Sequence, residues 1–244
     1  MLISLSILEY ERDLSQHVNN LAASLSFSQI LRLVGTGKIH RVHLDIMRPP
    51  MIPGKRMFSI QLMRRLYEDL HKSIPLAFHL MVSEPLPILM EINEFVPKGE
   101  RHGTAVFIQV ESFTSQKKTA EALSLLRECG YEAGICLNLP TPSRALTREI
   151  VGKADTILLM SVPMGQGGQK YSSKATNRIK RISKKFPDKP IEVDGGMNAE
   201  TVFLADQAGA KVAIVGSFIT QNQNHEGALL ELERSLKMRR VERA

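Results

Sequence analysis

Eight short apolar runs are spaced along the chain, and helical patterns fill the gaps between them. The runs fall at residues 2–8, 42–47, 76–82, 105–112, 132–139, 156–162, 191–196 and 212–217. Short strand-like runs alternating with helices build a parallel sheet whose two faces are both covered. The intervening helices are predicted at residues 10–33, with a break near Ser24 to Ser28, and at 57–73, 85–96, 115–129, 143–152, 172–186, 198–208 and 225–238. Gly130 after Cys129 is a stop signal, and Thr141-Pro142-Ser143 is a start signal. Eight strand–helix units in 244 residues point to a closed (β/α)8 TIM barrel, an α/β fold, in one domain over 1–244. The first crossover, 9–41, is long enough for two helices. The polar turn at 97–104 belongs at the barrel end opposite the expected site.

Composition narrows the function. No apolar run reaches the ~18 residues of a membrane span. The apolar start of the chain lacks a basic lead and soon meets Glu9, Glu11, Arg12 and Asp13, so it reads as a first strand and not a signal peptide. Cys129 and Cys136 match no metal spacing and are expected as free thiols in a reducing cytoplasm. The net charge is +7, but the cations are scattered apart from Lys180-Arg181, Lys184-Lys185 and the run from Lys237 to Arg243. With 5% aromatic residues there is little on which bases could stack, so nucleic acid is not an expected partner. A basic surface also attracts a phosphorylated small molecule.

Residues two apart on a strand share a face. In 42–47 that places His43, Asp45 and Met47 together, and in 76–82 it pairs His79 with Met81. The seventh run adds Asp194 beside Gly195-Gly196. In a TIM barrel the functional end is the carboxyl end of the strands, where these residues fall. Two imidazoles and two carboxylates there suit one divalent cation, and buried carboxylates need such an offset. Glycines then follow three successive late strands: Gly165, Gly167 and Gly168, then Gly195 and Gly196, then Gly216 with Ser217. Glycine lets backbone N–H groups approach an anion, and late barrel loops are a recurrent phosphate site.

These pieces resemble the ribulose-phosphate 3-epimerase family along nearly the whole chain. The matching segments are Ser6-Ile7-Leu8, His43-Leu44-Asp45-Ile46-Met47, His79-Leu80-Met81-Val82, Asn138 to Pro142, Leu159 to Val162 with Gly165 to Gln169, Glu192 to Gly196, and Gly216-Ser217. The resemblance implies a ribulose-phosphate-binding type of barrel with one divalent metal per subunit. Zn²⁺ is the first choice, and Fe²⁺, Mn²⁺ or Co²⁺ would also suit the donors. It implies that His43, Asp45, His79 and Asp194 hold the metal and that Asp45 and Asp194 exchange protons with the substrate. Ser6 would contact the sugar, Met47, Met81 and Met160 would line the pocket, and the glycines with Ser217 would surround the phosphate. The implied reaction is inversion of carbon 3 of a ketose phosphate, D-ribulose 5-phosphate to D-xylulose 5-phosphate, in a cytoplasmic homo-oligomer.

Several positions depart from the family pattern. Arg48 stands where relatives have an acidic residue, which bears on a substrate-facing loop or a subunit contact. Gln109 stands where the fourth strand of relatives has a histidine, and the sixth-strand loop reads Pro163-Met164-Gly165-Gln166 where relatives carry a proline-glycine-phenylalanine run. The first crossover is also longer than usual. These changes touch the pocket walls, so a hexulose 6-phosphate such as allulose 6-phosphate is a rival substrate. A non-catalytic phosphosugar-binding barrel is the rival from another class. A decarboxylase of the same barrel group would need an Asp-x-Lys run where this chain has Asp45-Ile46-Met47.

Overall fold

Strand order in the sheet follows chain order, and the first strand pairs with the last to close the barrel. The computed structural model describes residues 1–241, with side chains through Lys237. The strands are β1 (Leu2–Ser6), β2 (Ile39–Met47), β3 (Leu76–Met81), β4 (Thr104–Gln109), β5 (Glu132–Leu137), β6 (Thr156–Met160), β7 (Ile191–Asp194) and β8 (Val212–Val215), all parallel. The helices are α1 (Glu11–Gln16), α2 (Leu25–Gly35), α3 (Ile60–Leu70), α4 (Pro85–Asn93), α5 (Gln116–Glu128), α6 (Arg148–Lys153), α7 (Ser173–Lys185), α8 (Ala199–Ala208), α9 (Ser217–Thr220) and α10 (His225–Val241).

The strands are largely apolar because one face meets the helices and the other fills the barrel. β3 and β4 are buried at every residue. On the outer side, α3 turns Leu62, Met63, Leu66 and Leu70 inward at helical spacing, and Ser59 caps it by accepting from Leu62 N. Each such fully buried side chain contributes about 1.5–3 kcal/mol of apolar burial. On the inner side, Phe107 of β4 fills the axis beneath the two imidazoles. Its ring centroid lies 5.9 Å from that of His43 and 6.4 Å from that of His79. Gly134 on β5 makes the room, since a Cβ there would stand 2.1 Å from the Phe107 ring.

The boundaries differ from expectation where polar side chains act locally. The first crossover does hold two helices, but it breaks at 17–24, before the predicted Ser24 to Ser28. Ser24 is the N-cap of α2, accepting from Phe27 N, so it starts a helix instead of ending one. Asp13 of α1 ties the corner by accepting from Ser24 Oγ at 2.6 Å and Ser26 N at 3.0 Å. The predicted 143–152 helix divides into a 3₁₀ turn, Ser143–Ala145, and α6, because Thr147 caps afresh. β4 stops at Gln109 and turns into a 3₁₀ segment, and β8 stops at Val215 before α9. Residues 97–104 form a 3₁₀ turn that feeds the amino end of β4, away from the site as expected. Both cysteines are free, and Cys136 is buried inside the barrel. The basic run from Lys237 to Arg243 lies, beyond Lys237, outside the described side chains. Among the described residues, no helix is long and apolar enough to cross a membrane.

Candidate active site and metal centre

Register between neighbouring strands assembles the polar cluster. Asp45 on β2 stands opposite His79 on β3, Ser6 on β1 opposite His43, and Met160 on β6 opposite Asp194 on β7. His43, Asp45, His79 and Asp194 each present a ligand atom, and these atoms all lie within 4.8 Å of one another. Asp45 Oδ1 is the hub. His79 Nδ1 is 3.1 Å away and His43 Nε2 is 3.3 Å away. The other oxygen, Oδ2, accepts from Ser6 Oγ at 2.8 Å. On its far side, His79 Nε2 meets the Gln109 amide nitrogen at 2.8 Å.

The donor set fits a divalent cation. Ligands about 2.0–2.1 Å from a tetrahedral metal stand about 3.3 Å apart, close to the two spacings at the hub. Both ring nitrogens of His43 are buried and neither makes a well-formed hydrogen bond: Nδ1 has no partner, and Nε2 has only the 3.3 Å contact with Asp45 Oδ1. An unpartnered buried polar group costs about 1–3 kcal/mol, which a bound cation at Nε2 would remove.

The two carboxyls have been driven apart in proton affinity. Burial raises that of Asp194 to about 8, and the neighbouring charge of Asp45 adds to the effect. Burial opposes ionisation of Asp45 too, but the charges of His43 and His79 and the close approach of both rings to its carboxylate outweigh it and hold Asp45 well below the usual carboxylate range. His43 follows the same logic in reverse. Burial alone would lower its affinity for a proton, and Asp45, Asp194 and Glu192 together raise it. In His79 burial wins and lowers it. Such splitting of two acids in one site is what proton transfer from opposite sides requires.

Beyond Asp194 the pocket changes character. Gly195 and Gly196 both adopt left-handed backbone, φ 110° and 62°. A Cβ on Gly195 would stand 2.4 Å from Val162 and one on Gly196 2.3 Å from Tyr171 N, so no other residue fits this turn. The loop after β6 is braced by Gln169, whose amide donates to Pro163 O at 2.7 Å and Gln166 O at 2.8 Å. Asn138 at the end of β5 holds the same loop by accepting from Met164 N at 3.0 Å. A methionine-rich wall of Met47, Met51, Met57, Met81 and Met164 packs with Ile52 and Leu8 over the opposite side.

All eleven residues expected to touch substrate border one pocket, together with Asp45 and Asp194. Ser6, Met47, Met81 and Met160 sit nearer the cluster, and Gly165, Gly167, Gly168, Gly195, Gly196, Gly216 and Ser217 form the loop end. His43 and His79 lie beneath the floor and are fully buried. Arg48 takes no part in the lining. Its guanidinium turns back onto the carbonyls of Met47, Met57 and Phe58 and staples the β2–α3 loop.

Glu9 was not among the expected site residues, yet it borders the pocket. Its carboxylate reaches between the two outer glycine loops. Oε1 would be 2.6 Å from a Cβ on Gly167, and Oε2 would be 3.0 Å from one on Gly216. Thr220 Oγ1 donates to Oε2 at 3.2 Å. Burial raises its proton affinity, and the charge of Asp45 adds to this. The available signal was position: an acid just past the carboxyl end of β1 stands where barrel loops build sites.

Comparison with known proteins gives the family and the fold. Residues 20–220 match the family model described as the ribulose-phosphate 3 epimerase family. A ribulose-phosphate 3-epimerase of Bacillus subtilis is 28% identical over 202 residues, covering 80% of this chain and 86% of that protein. The cytoplasmic isoform from Oryza sativa is 30% identical over 182 residues, covering 73% and 74%. Among solved structures, 3-hexulose-6-phosphate synthase from Salmonella typhimurium superposes with a TM-score of 0.65 at 14% identity, covering 98% of this chain and 99% of that one. A 3-keto-L-gulonate-6-phosphate decarboxylase from Vibrio cholerae gives 0.65 at 11% identity, with 97% of both chains covered. At such low identity these two show the shared barrel alone.

Proposed function

The chain belongs to the ribulose-phosphate 3-epimerase family, and from that premise we propose that it inverts carbon 3 of a ketose phosphate, converting D-ribulose 5-phosphate to D-xylulose 5-phosphate. The observation that carries this reading is the pair Asp45 and Asp194. They border one pocket from different strands, β2 and β7, and their carboxylates converge with two imidazoles within 4.8 Å.

A C–H beside a ketone is a weak acid, so its removal needs a positioned base and stabilisation of the enediolate that forms. Asp45, ionised and oriented by Ser6 and the two imidazoles, takes the proton in one direction of reaction. Asp194 delivers a proton to the opposite face. In the reverse direction the roles exchange. A divalent cation held by His43, Asp45, His79 and Asp194, Zn²⁺ first with Fe²⁺, Mn²⁺ or Co²⁺ also suited, would serve as a Lewis acid for the negative charge developing on the substrate oxygens. Met47, Met81 and Met160 keep water from the reacting carbon. The backbone of the late glycine loops and Ser217 hold the phosphate, which keeps carbon 3 in register between the two acids.

A hexulose 6-phosphate is the second substrate reading, and Gln166 supports it. This polar side chain borders the pocket, and an amide there suits one further hydroxylated carbon.

The test is an assay of purified, metal-loaded protein in heavy water against pentulose and hexulose phosphates. Epimerisation with deuterium entering at carbon 3 is expected. Stoichiometric metal and tight sugar-phosphate binding with no exchange would overturn the epimerase reading and leave a binding barrel.

A further inference from the structure

Gln109 ends β4 and is fully buried, so no bulk water competes for its amide. Its nitrogen lies 2.8 Å from His79 Nε2, while its oxygen, Oε1, is buried with no partner. On the other side of the same imidazole, Nδ1 is 3.1 Å from Asp45 Oδ1. The three side chains form a relay across β4, β3 and β2. In the drawn orientation the amide N–H donates to Nε2. That nitrogen then carries the ring's lone pair, and Nδ1 carries the proton and donates it to Asp45.

This tautomer is the wrong one for holding a cation. Nδ1 is the ring atom that converges with His43 Nε2 on Asp45 Oδ1, and Nε2 points away from the cluster toward β4. A neutral imidazole has one free lone pair. If Nδ1 uses it on a metal, Nε2 must carry the proton and needs an acceptor. The amide nitrogen of Gln109 cannot accept. Its unpartnered oxygen can, and a half-turn of the amide about its terminal bond exchanges the two atoms at nearly constant position. Glutamine suits this place because one side chain offers both a donor and an acceptor and so satisfies either tautomer of His79.

We propose that Gln109 is a positioning residue for the metal centre, its amide oxygen taking the Nε2–H of His79 so that Nδ1 faces the cation. The proposal rests on the metal-centre reading above. Loss of such an outer partner typically weakens metal binding about 10–100-fold. The β3–β4 register pairs His79 with Phe107, and Gln109, two residues further along the same face of β4, reaches the far side of the His79 ring.

The experiment measures Zn²⁺ affinity by chelator competition and the His79 tautomer by long-range proton–nitrogen NMR of histidine-labelled protein. In the Zn²⁺-loaded wild type, His79 should be the Nε2–H tautomer. Gln109→Leu, which cannot accept, should bind Zn²⁺ about 10–100-fold more weakly. Gln109→Glu, which keeps an acceptor, should bind as tightly as wild type or tighter. An Nδ1–H tautomer in the loaded wild type would overturn the proposal without need of any variant. So would Gln109→Leu binding within about threefold of wild type. Failure of the metal-centre reading has its own signature, wild-type protein that takes up no stoichiometric Zn²⁺, and it would overturn both.

Discussion

At one end of the pocket, four side chains from three strands point at a common position. At the other, backbone turns of glycine lie open around a single intruding carboxylate. The first end is made by strand register, which sets side-chain direction by a period of two residues and leaves almost no freedom. The second is made by loops, whose backbone is held by Gln169 and Asn138 but whose empty space can admit a new side chain. Glu9 is that side chain here. On the proposed reading the chemistry is therefore anchored in the sheet, while the grip on the substrate's far end is free to vary.

The sharpest way to break this contrast is to neutralise the sheet-borne acids. Asp45→Asn and Asp194→Asn should each lower kcat by about 10²–10⁴-fold or more, with circular dichroism unchanged. Turnover near wild type in either variant would remove that acid from the chemistry. Next in size is the pH dependence of metal uptake. Metal-free Asp194 holds its proton up to about 8, so a cation must displace that proton at lower pH. Apparent affinity should climb at least about tenfold per pH unit below this value, more steeply where His43 must also lose a proton, and level off above it. Chelator competition between about pH 6 and 9 measures the slope, and a flat profile would mean that the acid ionises freely.

Two smaller effects separate the ends. Gly134→Ala drives a methyl group into the Phe107 ring, beneath the histidines. Overpacking of this kind should cost about 1–3 kcal/mol in denaturant unfolding and disturb the metal end first. Glu9→Gln removes a negative charge from the glycine end alone. Inhibition by inorganic phosphate should tighten about tenfold, the equivalent of roughly 1.4 kcal/mol of like-charge repulsion. Weaker phosphate inhibition in this variant would show that Glu9 assists the anion.

Much of the histidine–aspartate cluster was legible in the chain itself. The spacing in His43, Asp45 and Met47 states which side chains share a face, and a strand can express that pattern in only one way. The union of Asp45 with His79 was not legible, because it depends on how β2 and β3 are staggered. Gln109 stood out as unusual in the sequence, yet its contact with His79 comes only from pairing of β3 with β4. The reach of Glu9 depends on the path of the chain after β1, which no periodicity encodes. Ser24 shows the same limit on a smaller scale. A serine between two helical stretches can break a helix or cap one, and only the neighbouring Asp13 decides that it caps.

The closure between β1 and β8 has a consequence for biogenesis. Ile3 pairs with Ala213 and Leu5 with Val215, so almost the entire polypeptide separates the two partners of that seam. Until the last strand leaves the ribosome, the growing sheet has two raw edges able to recruit another chain. Contacts so distant in sequence also slow the search for the finished form. Any lesion that delays β8 should therefore appear first as aggregation during synthesis, before it is seen as a weaker enzyme.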